Sequence, residues 1–205
     1  FPRDADTRYV ESTISRHRKM CLREEEWQGA APYIRDAANT YDRLLRDQNY
    51  TDFDGAIRVA VDLIEQYPFV RTVLSARFPY LLIDEYQDLA PGLHRIVSAL
   101  SINDGKSTLF AVGDPDQAIF GFTGTRPELL LELADRSDVH RVDLRINYRC
   151  GAVIAETAQR ILGTDAQPHT MRGGGVVTVQ HEPQGLAAQA NYIARRIVEL
   201  RDGGA

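Results

Sequence analysis

The stretch Tyr80-Leu81-Leu82-Ile83-Asp84-Glu85 sets the narrowest limits on what this chain can become, because four apolar residues run directly into two adjacent carboxylates. A short apolar run between turn signals fits a strand buried on both faces, as in a parallel sheet covered by helices. Ligands of such sheets bind beyond the carboxyl ends of the strands, where Asp84 and Glu85 emerge. A hard divalent cation such as Mg²⁺ takes one or two carboxylates together with substrate phosphates. A second carboxylate beside it can orient or deprotonate an attacking water. An exposed Asp-Glu pair leaving a strand is also an ordinary surface feature, so the reading needs support from the rest of the chain.

That support begins with the alternation of elements. Residues 7 to 28 read as a polar helix with Val10 and Ile14 on one side, joined by Cys21 and Leu22. A second helix covers Tyr33 to Asp47, with Tyr33, Ala37, Tyr41, Leu44 and Leu45 on one stripe. Asp52 caps a third, in which Phe53, Ile57, Val61 and Ile64 recur at helical spacing until Pro68. Phe69 to Phe78 is a short helix, and Pro91 opens another whose apolar face is Leu93, Ile96, Val97 and Leu100. Further strands are predicted at Leu109 to Val112, Val139 to Leu144 and Val176 to Val179. Helices follow at Cys150 to Leu162, with Gly163 beyond its end, and along Leu186, Ala190, Ile193, Ile197 and Leu200. Strands alternating with helices mean an α/β fold with a mostly parallel sheet, here preceded by a helical segment.

At 205 residues with net charge −5, the chain does not have the basic surface that coats duplex DNA through phosphate neutralisation. Single-strand binding remains open, because stacking on aromatic rings carries much of that affinity. The cluster Arg16-His17-Arg18-Lys19 is either a solvated helix face or a contact to a nucleic-acid backbone. No apolar run approaches the ~20 residues that cross a bilayer, so no membrane partner is expected. Cys21 and Cys150 are too far apart for a metal clip and too few for a disulfide framework, which points to a reducing, cytoplasmic setting. The chain opens on Phe1 rather than Met, the expectation for a piece of a longer polypeptide.

Two further stretches carry chemistry. Gly113-Asp114-Pro115-Asp116-Gln117 follows the second strand, and Phe120 and Phe122 come within the next five residues. Gln117 can donate to a phosphate oxygen and accept from water. Phe120 and Phe122 either expose ring faces from the loop or pack inward; an exposed ring that stacks a base contributes ~1–3 kcal/mol. In Asn147-Tyr148-Arg149-Cys150, at a predicted strand-to-helix junction, Arg149 either contacts phosphate or forms a surface ion pair, and Tyr148 can stack on a base.

Taken in order, Asp84-Glu85-Tyr86-Gln87-Asp88, the loop from Gly113 to Phe122, and Asn147-Tyr148-Arg149 resemble motifs II, III and IV of superfamily 1 helicases of the UvrD/Rep type. The resemblance is strong from about Asp52 to Leu162 and weak before it. It implies two RecA-like (P-loop NTPase type) domains that clamp ATP, each with an inserted helical subdomain, and 3′-to-5′ movement along single-stranded DNA. On these positions it implies that Asp84 holds Mg²⁺, with Glu85 beside it activating the hydrolytic water. It further implies that Gln117 senses the γ-phosphate, that Tyr148 lies against the adenine, and that Arg149 is an arginine finger, worth ~10³–10⁵ in turnover in related phosphoryl transfer. Phe120 and Phe122 would stack on DNA bases. The family position of Phe122 is usually Trp, that of Thr123 often Arg, and that of Cys150 usually Ser or Thr, making Cys150 a weaker helix cap.

One motif is missing. ATP binding needs G-x-x-x-x-G-K-[ST] after a strand, and the only candidate, Gly105-Lys106-Ser107, has Leu100 where the first Gly belongs and precedes a strand. The expected organisation is therefore a helical segment over 1–50 from the subdomain inserted in the first RecA-like domain, the later part of that domain over 51–142, and the start of the second over 143–205. The remainder of the parent polypeptide would supply the phosphate loop, and this chain alone would hydrolyse nothing. Two other readings stand beside this one. A degenerate, non-catalytic DNA- or protein-binding module would lack the phosphate loop by descent. A metal-dependent nuclease would use Asp84, Glu85 and Asp114 without ATP.

Overall fold

A computed structural model describes residues 7–21, 31–102, 105–164, 169–181 and 183–203. The chain divides into two compact units, Phe1–Arg141 and Val142–Ala205.

The first unit begins with four helices: α1 (Thr7–Lys19), α2 (Pro32–Asp47), α3 (Phe53–Gln66) and α4 (Pro68–Arg77). Strand β1 (Tyr80–Ile83), helix α5 (Pro91–Ser101), strand β2 (Thr108–Ala111) and helix α6 (Glu128–Ala134) follow. Proline occupies the first turn of α2, α4 and α5, where its missing N–H has no intrahelical partner to lose. Asp52 caps α3 as expected, its Oδ1 accepting the Gly55 N–H at 2.8 Å. The same carboxylate receives the buried Arg18 guanidinium in a fork, at 2.6 and 2.9 Å, and the Tyr41 hydroxyl at 3.0 Å. Asp42 of α2 takes Arg18 from another side at 3.0 Å, so one arginine ties α1 to α2 and α3.

The helix predicted from residue 7 to 28 stops at Lys19; Cys21 is buried, and Leu22 lies outside the described residues. On α2 the buried positions are Ile34 and Ala38, an i, i+4 pair packed with Ile14 and Tyr33, while Tyr41 and Leu44 face solvent. On α3, Val61 and Ile64 are buried but Phe53 is exposed.

Strands β1 and β2 run parallel, with Tyr80 opposite Thr108 and Ile83 opposite Ala111, and α5 makes the crossover. The ladder continues past both strands, where Val112 N–H donates to Ile83 C=O at 2.8 Å and Tyr86 N–H donates to Val112 C=O at 2.9 Å. Burial on both faces does not hold. Ile83, Leu109 and Ala111 pack on the cluster of Tyr86, Val97, Leu129 and Leu133, whereas Tyr80 and Leu82 are 72% and 75% exposed. The reason is local: among the described residues, helices cover one face of this two-stranded sheet.

The strand predicted at Val139 to Leu144 is not formed. Val139 packs on the core of the first unit, Val142 and Leu144 are exposed, and the strand begins instead at β3 (Ile146–Gly151). Alternation in a sequence registers side chains, but a strand also needs main-chain partners, and here those begin at Ile146. They come from β4 (His169–Arg172), which pairs in parallel with β3 and replaces the strand predicted at Val176 to Val179. Between them lies α7 (Ala152–Leu162), closed by Gly163 at φ +70° as the sequence predicts. Its N-cap is Gly151 rather than Cys150, which sits in β3, so Cys150 is no weakened cap. Helix α8 (Leu186–Asp202) completes the second unit, with Leu186, Ile193 and Ile197 exposed.

Candidate nucleotide site and aromatic loop

In the first unit, the carboxyl ends of β1 and β2 lie side by side because the strands are parallel neighbours. Asp84 and Glu85 leave β1 through a tight turn in which Asp84 Oδ1 accepts the Glu85 N–H at 2.9 Å. Glu85 itself is left-handed, at φ +51° and ψ +46°. A non-glycine residue there costs ~1–3 kcal/mol and persists only where its surroundings hold it. They do so from both sides. Tyr86, next in sequence, is fully buried, its N–H bonded to Val112 and its hydroxyl 2.8 Å from His94 Nδ1. Burial pushes the Tyr86 phenol up to about 12 and lowers His94 from its ordinary value, so both are held neutral.

Gln87, only 1% exposed, reaches back and donates from Nε2 to Glu85 Oε2 at 2.7 Å. Its Oε1 accepts the Asp114 N–H at 3.0 Å. Asp114 caps the turn Pro115–Gln117, accepting the Asp116 N–H on Oδ1 at 3.0 Å and Gln117 Nε2 on Oδ2 at 2.8 Å. Glu85, Gln87, Asp114 and Gln117 thus form one hydrogen-bonded row across the two strand ends. Gly113 is required for this closeness, since a Cβ there would lie 2.7 Å from Gln87 Oε1 and 2.9 Å from Leu130 Cδ2. Gln87 carries no role in the sequence reading, although Asp84 and Glu85 of the same motif do. Its function depends on β2 lying beside β1, which local spacing does not reveal.

Beyond Gln117 the chain makes a second tight turn, Gly121–Thr123, in which Thr123 donates from both N–H and Oγ1 to Phe120 C=O, at 2.8 and 2.9 Å. Phe120 and Phe122 do not pack inward. They are 43% and 79% exposed, with ring centroids 6.4 Å apart and planes inclined at 51°. Of the basic cluster on α1, Arg18 is buried in its ion pairs and unavailable to a nucleic acid, whereas Arg16 is exposed.

In the second unit, Asn147 Oδ1 accepts the N–H groups of Arg149 and Cys150, each at 2.9 Å. This fold-back leaves Tyr148 64% exposed and Arg149 exposed, and among the described residues the Arg149 guanidinium meets no carboxylate.

The donor set suits a magnesium ion held partly by substrate. Asp84 and Glu85 each keep one carboxylate oxygen outside the hydrogen bonds above, and hard oxygen is what Mg²⁺ takes. Among the described residues no group of three His, Cys, Asp or Glu side chains is placed to hold a metal ion without further ligands. Lys106 and Ser107 form no phosphate loop, because Ser107 is buried and donates its hydroxyl to Phe78 C=O at 2.8 Å just before β2.

The first unit thus sets paired carboxylates at parallel strand ends beside a glutamine-bearing turn and an exposed aromatic loop. The family described as UvrD/REP helicase N-terminal domain matches residues 4–138, within the first unit, and the chain belongs to that family. Over 96% of its length it is 27% identical to the ATP-dependent DNA helicase PcrA of Leuconostoc citreum, of which it covers 28%. It is likewise 27% identical to the ATP-dependent DNA helicase UvrD1 of Mycobacterium tuberculosis (strain ATCC 25618 / H37Rv), over 93% of this chain and 26% of that helicase. DNA helicase IV of Escherichia coli (strain K12) is 33% identical over 58% of the chain and 17% of its own length. The chain therefore spans about a quarter of the length of the first two helicases.

Proposed function

We propose that this chain is the middle of an ATP-dependent DNA helicase that moves 3′ to 5′ on single-stranded DNA. In this reading, 1–50 belongs to a subdomain inserted in the first RecA-like domain, 51–142 is the later part of that domain, and 143–205 opens the second. The remainder of the parent polypeptide supplies the phosphate loop, and the motor works in the cytoplasm.

The observation that carries the reading is the hydrogen-bonded row from Glu85 to Gln117 across the parallel ends of β1 and β2. ATP supplies the phosphoanhydride bond and Mg²⁺ the counter-charge when both are bound. Asp84 offers its carboxylate to the metal. Glu85 accepts a proton from the attacking water at its carboxylate, and the bond from Gln87 leaves one oxygen for that task. Gln117 turns its amide to the terminal phosphate, exchanging its bond to Asp114 for one to a phosphate oxygen. Tyr148 stacks on the adenine and Arg149 neutralises charge that develops during transfer. Phe120 and Phe122 present ring faces to bases; any base has a face to stack, so the contact carries little sequence preference.

Directional unwinding tests the proposal. The full-length polypeptide, given ATP and Mg²⁺, is expected to open a duplex with a 3′ single-stranded tail and to leave one with a 5′ tail closed. This chain alone is expected to open neither. Unwinding from the 5′ tail, or from both equally, overturns the directional reading.

A further inference from the structure

We propose that Gln87 is a positioning residue that holds the Glu85 carboxylate in its working orientation and couples it to the loop carrying Gln117. The inference rests on the proposed role of Glu85 as the base. The geometry assigns Gln87 no other task. Its side chain is 1% exposed, so it meets no substrate directly. Its two polar ends are both committed, Nε2 to Glu85 Oε2 at 2.7 Å and Oε1 to the Asp114 N–H at 3.0 Å.

The amide suits this position in a way that neither a carboxylate nor an apolar side chain does. Glu85 can only accept and Asp114 N–H can only donate, so the bridge must donate at one end and accept at the other. Glu85 also occupies a left-handed backbone conformation, which leaves its side-chain direction dependent on external contacts rather than on a regular strand or helix. Asp114, at the far end, holds Gln117 through Oδ2 and Asp116 N–H through Oδ1. When Gln117 swings to a phosphate, Asp114 loses a partner and its loop is freed to shift. The Asp114 N–H carries that shift to Gln87, and Gln87 carries it to Glu85. The base is thereby oriented when the phosphate sensor is engaged. Gly113 lets the two strand ends approach closely enough for this bridge.

The test uses the full-length polypeptide, with ATP hydrolysis stimulated by single-stranded DNA. Gln87→Leu is expected to lower kcat about 10–100-fold, as a base displaced by an ångström does, with KM for ATP changed less than about twofold. In a Glu85→Gln background the same change is expected to add nothing, because Gln87 acts only through Glu85. Gln87→Glu puts a second carboxylate against the first, and the pair then shares a proton. The acid limb of its kcat profile is expected to move up by about a pH unit or more, which a residue that merely fills space does not cause. Gly113→Ala crowds the same amide from the other strand and is expected to reproduce the kcat loss, so a Leu variant that fails to fold does not end the test. Wild-type kcat and an unshifted profile in folded Gln87 variants, with Glu85→Gln inactive, overturn this proposal alone. Full activity in Glu85→Gln overturns instead the reading on which it rests.

Discussion

The N–H of Tyr86 donates to the carbonyl of Val112 at 2.9 Å, extending the pairing of β1 and β2 beyond the strands themselves. Two loops far apart in sequence are thereby held in one register, and the carboxylates of one face the amide-bearing turn of the other. Tyr86 is also the largest fully buried side chain among the described residues, so the segment that carries Asp84 and Glu85 is anchored in the core immediately behind them.

That anchor has a polar end. Removing the hydroxyl in Tyr86→Phe leaves His94 Nδ1 without its 2.8 Å partner, at an expected cost of about 1 kcal/mol. Chemical denaturation of this chain at neutral pH measures the loss.

His94 makes folding pH-dependent. Burial depresses its folded value below that of the unfolded chain, so between the two the unfolded state binds more protons. Stability is complete above the ordinary histidine value of ~6.5 and declines as pH falls below it. His94→Gln is expected to flatten the stability profile between about pH 5 and 7.

Asp52 acts at lower pH. The Arg18 hydrogen bonds hold its carboxyl well below the usual range, helped by the Gly55 N–H and the Tyr41 hydroxyl. Its folded value is depressed, so its contribution is present above the unfolded value of ~3.9 and is lost as pH falls through the folded one. Arg18→Met removes the cation shared by three helices and is expected to cost about 2 kcal/mol, a figure reduced from that of a fully buried pair because Asp52 is 31% exposed. Denaturation of both variants between pH 2 and 7 checks the sign and the size.

The aromatic loop makes a separate prediction. Phe122→Ala is expected to weaken single-stranded DNA binding by the full-length polypeptide by ~1–3 kcal/mol while leaving fold stability nearly unchanged, because the ring is 79% exposed. The salt dependence of binding is expected to stay the same, since no cation is removed. Phe122→Trp is expected to bind at least as well as Phe122. Fluorescence titrations at two salt concentrations read all of this.

The parts of the molecule that were legible in the sequence are those whose causes are local. Asp52 caps α3 and Gly163 ends α7 because a side-chain acceptor and a left-handed turn act within a few residues. The run from Tyr80 to Ile83 forms its strand and brings Asp84 and Glu85 to its end. What failed depended on partners distant in the chain. Val139 to Leu144 alternates like a strand but has no ladder to join, while the polar His169–Arg172 has one in β3. Leu82 and Tyr80 look like core and face solvent, because a strand's second face is buried only by whatever covers it. Arg18 looks like a surface charge and is buried, because Asp42 and Asp52 converge on it from two other helices. Gln87 is the same case at the site: its residue type is visible, but its bridge to Asp114 exists only once β2 lies beside β1.

The central claim is that Glu85 is the base of a DNA-driven nucleotide hydrolase. Steady-state ATP hydrolysis by the full-length polypeptide, with and without single-stranded DNA, measured for wild type and Glu85→Gln, tests it most directly. The expected result is DNA-stimulated turnover in wild type and a loss of ~10²–10⁴-fold in the variant, with ATP still bound. Equal turnover in the two proteins, or none in wild type, would contradict it.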